Sequence, residues 1–149
     1  MNKNGEVYLD ASVLVALLTN DPFTARAEAF IRANTPVLIV SDFAAAEFAS
    51  AIARRVRTGE ITLDDGRIGF STFDAWTARA TRREQTKAAD VAATGAFLRR
   101  LDLNLRTADA LNIAIAQRLG ATLVTFDVKM AASARMLGMV TEEGELPTG

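Results

Sequence analysis

The sequence has no cysteine and no histidine among its 149 residues. The first absence removes disulfides, thiolate metal ligands and thiol nucleophiles. The second removes the commonest acid/base group for work near neutral pH, the histidine-dependent hydrolase triads and histidine-bound zinc. An enzyme built from what remains must draw on carboxylates, lysine, arginine, the single tyrosine, a cofactor, or water activated by a bound metal. Long apolar runs are also missing. Polar or charged residues interrupt every hydrophobic stretch well short of the ~20 residues of a membrane-spanning helix. The opening stretch from Met1 to Glu6 is polar and unlike a signal peptide, so the expectation is a cytoplasmic protein without membrane contact. Neither sign of charge dominates, with 17 basic and 18 acidic residues, and composition alone makes no electrostatic case for nucleic acid. Arginine is nonetheless clustered at Arg54, Arg55 and Arg57, at Arg79, Arg82 and Arg83, and at Arg99, Arg100 and Arg106. The guanidinium fork suits phosphate, although a solvated helix face is the simpler account of any one cluster.

Half of the residues are hydrophobic, enough for one domain over residues 1–141. An acidic, apolar-poor tail at 142–149 is expected to fray. Val7-Tyr8-Leu9, Val37-Leu38-Ile39-Val40 and Leu123-Val124 are short unbroken apolar runs, the pattern of strands buried on both faces of a parallel sheet. Helical signals fill the gaps, over residues 12–19 and 22–34. A third helix is capped by Ser41 or Asp42 and carries Phe48, Ile52 and Val56 at four-residue steps. A fourth opens at Thr62 and Asp65 with a capping-box pattern and carries Phe70, Phe73 and Trp76. Two more are expected over 89–101 and over 108–119, the latter capped by Thr107 and stopped by Gly120. Residues 82–87 fit no pattern clearly. Strand and helix in alternation predict an α/β fold, a three-layer α/β/α sandwich around a mostly parallel sheet.

In such a sheet ligands bind beyond the carboxyl ends of the strands, which directs attention to four acids. Asp10 ends the first strand, Glu47 lies early in the helix after the second, Asp109 is in the first turn of the 108–119 helix, and Asp127 closely follows the last strand. Singly, each has a structural role open to it: Asp10 and Asp127 as helix caps, Asp109 at a helix dipole, Glu47 on a solvated face. Together they would repel one another and hold their protons more tightly unless a cation neutralised them. Oxygen-only ligands favour magnesium or manganese, and such a metal activates water for attack on a phosphodiester. Ser12, Asn112 and Thr125 are possible supporting residues: Asn112, one helical turn after Asp109, could hold that acid or touch substrate, although a solvated surface amide is the simpler reading, and Ser12 and Thr125 are as much at home as local turn hydroxyls. Asp90 is a possible fifth acid, although an N-terminal helix position suits it better.

Tyr8-Leu9-Asp10-Ala11-Ser12, Ala46-Glu47-Phe48, the run from Thr107 to Ala114 (Thr-Ala-Asp-Ala-Leu-Asn-Ile-Ala) and Val124-Thr125-Phe126-Asp127 are similar, in order and spacing, to the motifs of the PIN-domain nucleases. Within that family the chain resembles the VapC-like ribonuclease toxins of toxin–antitoxin pairs, over nearly its whole length. The resemblance implies an α/β/α sandwich, a magnesium or manganese site and endonucleolytic cutting of RNA. It assigns metal-binding and catalytic roles to Asp10, Glu47, Asp109 and Asp127. It further implies a cognate VapB-like antitoxin that blocks the acidic site, and a homodimer. Asn112 stands where many such toxins have a histidine. The stripe of Phe70, Phe73 and Trp76 is read as core first and as an antitoxin groove second. Two other readings compete: a phosphatase that forms an aspartyl-phosphate on Asp10, which would want a second Asp where Ser12 stands, and a noncatalytic RNA-binding or interaction module on the same fold.

Overall fold

The computed structural model describes residues 5–34 and 37–142. Of the expected tail only Glu142 falls within them, and residues 1–4 also lie outside. The described residues form five parallel strands: β1 Glu6–Leu9, β2 Val37–Ser41, β3 Arg82–Glu84, β4 Thr122–Val124 and β5 Thr141–Glu142. Seven helices join them: α1 Ala11–Leu18, α2 Thr24–Asn34, α3 Asp42–Arg57, α4 Leu63–Ala80, α5 Ala88–Arg99, α6 Thr107–Leu119 and α7 Val128–Met136. No helix among these residues is long and apolar enough to cross a membrane.

Sheet order is β3-β2-β1-β4-β5. The chain therefore builds outward from β1 to β3, then returns to lay β4 and β5 on the other side. Between β1 and β4 the direction of winding reverses, the position at which doubly wound sheets open a ligand crevice. The three central strands are buried on both faces, and alternate residues feed two cores. Val7, Leu9, Leu38, Val40 and Val124 pack with α1, α3 and α4 residues such as Leu14, Phe48 and Phe73. Tyr8, Ile39 and Leu123 pack on the other face with Ile113 and Ile115 of α6 and Met130 of α7. That two-sided burial produces the unbroken apolar runs of the sequence.

Several local expectations shift. β3 and β5 are edge strands of three and two residues, and their polar residues, Arg82-Arg83-Glu84 in β3, leave no apolar signal to read. α7 was not expected either, because its run of small residues carries little periodicity. Thr107 does not cap α6; it is the first helical residue, and the Asp109 carboxylate caps the turn by accepting from the Arg106 amide at 3.2 Å. The capping box of Thr62 and Asp65 forms as expected. The aromatic stripe of α4 divides: Phe73 stacks on Phe48 with ring centroids 4.4 Å apart, Trp76 is half-buried, and Phe70 faces outward.

Candidate active site

Asp10 follows directly from β1 and caps α1, so its carboxylate is pinned before any tertiary contact: Oδ1 accepts from the Val13 amide at 3.2 Å. Ser12 Oγ donates to the same oxygen at 2.6 Å. The register of β1 on β4 sets Leu9 beside Val124, which brings the next residues together, and Thr125 Oγ1 donates to Asp10 Oδ2 at 2.6 Å. Asp10 is buried, yet it lacks a counter-cation among these partners. Burial pushes its carboxyl above the ordinary range; the Ser12, Thr125 and Val13 bonds oppose this, and the neighbouring Asp127 adds to it.

Asp127 is tied to the same web. Its amide donates to Thr125 Oγ1 at 3.0 Å, the Phe126 amide donates to Ser12 Oγ at 3.1 Å, and the Asp127 carboxylate caps α7 through the Met130 amide at 3.0 Å. Ser12 and Thr125 thus weld the ends of β1 and β4 around one carboxylate. Asp10 and Asp127 do cap their helices, and this is compatible with a shared site, because capping is what fixes the direction of each carboxylate.

Glu47 and Asp109 approach from α3 and α6. Burial raises the proton affinity of both, with Asp10 and Asp109 adding repulsion at Glu47, and Asp127 at Asp109. Each of the four acids therefore interacts with two of the others. Among the described residues no three of them stand close enough together to hold an ion unaided. An all-oxygen donor set fits a hard divalent cation that keeps part of its water shell.

Asn112 does not hold Asp109. Its Nδ2 donates to Glu47 Oε1 at 2.6 Å and to the Ala108 carbonyl at 3.0 Å, while its Oδ1 accepts from the Tyr8 hydroxyl at 2.5 Å. Two acceptors on one side and a donor on the other fix the amide's orientation. Because the Tyr8 proton goes to Asn112, the 2.6 Å contact between Tyr8 and Ser41 takes its proton from Ser41, whose oxygen in turn accepts from the Ala44 amide at 2.9 Å. A directional chain thus runs from Ser41 through Tyr8 and Asn112 to Glu47. In the sequence, Tyr8 stands only as part of the apolar run of the first strand. The available signal was a phenol inside a strand buried on both faces, which needs a partner.

Asp90 does not join the site. Arg118, near the far end of α6, grips it with Nε to Oδ1 at 2.7 Å and Nη2 to Oδ2 at 3.0 Å. Nine residues of helix, ~13 Å, separate Arg118 from Asp109. The expected role near the start of α5 holds, since Asp90 also accepts from the Lys87 amide at 2.8 Å.

A doubly wound α/β sheet with interacting carboxylates at its switch point defines the class as one of acidic-site α/β proteins. A sequence model of the PIN domain matches residues 7–135. Ribonuclease VapC46 of Mycobacterium tuberculosis is 32% identical over 136 residues, spanning 89% of this chain and 93% of that one. This chain belongs to the PIN domain family. The fold is shared with solved structures at lower identity. VapC20 of M. tuberculosis, described as a sarcin-ricin-loop-cleaving toxin, superposes with a TM-score of 0.69 at 19% identity, over 85% of this chain and 93% of that one. A toxin–antitoxin complex from Klebsiella pneumoniae contains a chain with a TM-score of 0.57 at 18% identity, covering 85% and 90%.

Proposed function

We propose that this protein is a metal-dependent endoribonuclease, the toxin of a toxin–antitoxin pair, acting in the cytoplasm as a single catalytic domain and restrained by a VapB-like antitoxin. The observation that carries the reading is Asp10: a carboxylate buried at the switch point, held by three hydrogen bonds and no cation among the described residues, near enough to Asp127 and Glu47 to feel their charge, with Asp109 felt by Glu47 in turn. Its relatives' names, ribonuclease and toxin, point the same way. Asp10, Asp109 and Asp127 would hold magnesium or manganese, with Glu47 completing the set. When bound, the ion lowers the pKa of a coordinated water and offsets charge on the phosphoryl oxygens.

The chain's own residues do the rest. Glu47 accepts from Asn112 at Oε1 and keeps Oε2 uncommitted among the described residues, so it can orient the attacking water and accept its proton. Its raised proton affinity suits that role. As the water oxygen bonds to phosphorus, one bridging P–O bond breaks and the departing oxygen takes up a proton. Ser12 and Thr125 donate to Asp10 and keep it from rotating out of line. A homodimer is part of the proposal.

The test is cleavage of labelled RNA by antitoxin-free protein in magnesium, in manganese and in chelator, beside folded Asp10→Asn. Metal-dependent cleavage that the variant lacks is the expected result. RNA bound but never cut would overturn the enzymatic reading in favour of an interaction module.

A further inference from the structure

A cleft of about 600 Å³ has Ser12, Glu47 and Asp127 in its lining. Its lining is of mixed chemistry. Helix α3 presents Glu47, Ser50, Ala51 and Arg54 at three- and four-residue steps, so one helix face runs from acid to cation. Arg54 lies ~10 Å and Arg57 ~15 Å along the helix from Glu47. Arg55, between them, is committed: it bonds Thr19 Oγ1 at 3.2 Å and pairs with Asp21 at 3.4 Å, which fixes the cleft wall. Arg54 and Arg57 are exposed and make no ion pair among the described residues.

Phe23 and Phe126 add an aromatic part to the lining. Phe126 sits in the site loop between Thr125 and Asp127 and stacks on Phe23, with centroids 4.8 Å apart and planes inclined by 14°. The Arg26 guanidinium lies 5.1 Å and 5.4 Å from the two centroids. Phe126 is half-buried and packs against the core, whereas Phe23 is 38% exposed and carries the pair's open aromatic surface. A smaller hollow of about 370 Å³ is lined by Asp109 and Asp127 together with Arg106 and Lys129. Asp127 therefore lines two cation-bearing hollows, with Glu47 in the larger and Asp109 in the smaller.

Resting on the nuclease reading, we propose that the larger cleft is a subsite for unpaired RNA. One nucleobase stacks on the Phe23–Phe126 pair, and the phosphates that follow it lie against Arg54 and Arg57. Only an unstacked base presents its face to an aromatic wall, so the subsite selects single-stranded or looped RNA over a continuous duplex. The peptide of an antitoxin is the other conceivable occupant. Aromatic surface and uncommitted guanidiniums in line with a phosphodiester-cleaving centre favour the nucleic acid.

The experiment measures binding of a labelled oligouridine and of a blunt RNA duplex to Asp10→Asn protein, against salt, with added Phe23→Leu, Phe126→Leu or the pair Arg54→Ala and Arg57→Ala. Melting curves exclude unfolded variants. Either Phe variant is expected to weaken oligouridine about ten-fold while leaving the duplex unchanged. The arginine pair should flatten the slope of log K against log salt by about 1.4, two phosphates at ~0.7 each. Unchanged oligouridine affinity and slope in all folded variants, while the parent enzyme still cleaves RNA, overturns the subsite alone and leaves the cleft to a peptide. A parent enzyme that neither binds nor cleaves RNA overturns the nuclease reading instead.

Discussion

Replacing Tyr8 with Phe tests whether the Ser41–Tyr8–Asn112–Glu47 chain holds the site. The substitution keeps the ring, which is fully buried, and removes only an oxygen that bonds Asn112 at 2.5 Å and Ser41 at 2.6 Å. Ser41 keeps the Ala44 amide, but the buried Asn112 Oδ1 loses its donor. An orphaned buried acceptor costs about 1–3 kcal/mol; the gain from no longer burying a hydroxyl offsets part of it, leaving about 1–2 kcal/mol. For a chain of this size that lowers the melting temperature by about 2–8 °C. The Asn112 amide is then free to turn, and Glu47 loses a fixed donor. Turnover, or affinity for manganese followed by titration calorimetry, should fall about ten-fold, the usual scale for a group orienting a metal ligand, with KM for RNA unchanged. A melting temperature within about 1 °C of the parent, together with unchanged turnover and manganese affinity, would refute the chain as a positioning device. The sole tyrosine gives an independent readout. Burial raises its phenol far above the ordinary value, Ser41 opposing this and Asp10 and Glu47 adding to it. The folded protein should therefore show no tyrosinate absorbance. The sign follows: stability is unaffected below the unfolded phenol's pKa of about 10 and falls as pH rises past it, because only the unfolded chain releases the proton.

Arg118→Ala strands a carboxylate that is 1% exposed, and should cost about 3 kcal/mol by denaturant melts; a loss under about 1 kcal/mol would show that Asp90 finds water. Burial alone would raise Asp90, but the Arg118 bonds, the Lys87 amide and the nearby charges outweigh it and hold it low. Its contribution is accordingly complete above an unfolded pKa near 4 and lost as pH falls through the lower folded value, a dependence that Asp90→Asn should abolish. Asp10→Asn should abolish cleavage yet raise the melting temperature at neutral pH, since burial makes the charged form costly; the two proteins should converge as acid protonates the parent, and a less stable variant at every pH would contradict this. Gly66→Ala on α4 places a Cβ 2.8 Å from Val56 Cγ2. The stiff valine cannot yield cheaply, so the variant should lose about 1 kcal/mol despite alanine's better helix propensity; a gain in stability would show that α3 and α4 part without strain.

Much of the fold was legible because burial on two faces writes itself into the sequence. The runs at β1, β2 and β4, the Ser41 cap and the Thr62–Asp65 capping box needed only neighbours in the chain. β3, β5 and α7 were illegible for the converse reason. Short edge strands draw on pairing with β2 and β4 rather than on their own side chains, and α7 is held by its Asp127 cap and by Met130 and Ala134 in the core. The four acids were visible from their places after strands and at helix starts. Their supporting cast was visible only as candidates.

The sequence by itself determined the class of chemistry, by excluding histidine and cysteine, and the order in which four carboxylates meet the sheet's carboxyl edge. Tertiary structure decided which groups serve them. Thr125 reaches Asp10 across 115 residues and Tyr8 reaches Asn112 across 104, pairings set by strand register and by how α6 lies over the sheet. It also turned Asn112 toward Glu47 rather than Asp109, and gave Asp90 to Arg118. A cap or an apolar stripe is satisfied within a few residues and so leaves a local pattern. A hydrogen bond between distant segments depends on the packed arrangement of the whole chain, which no local pattern records.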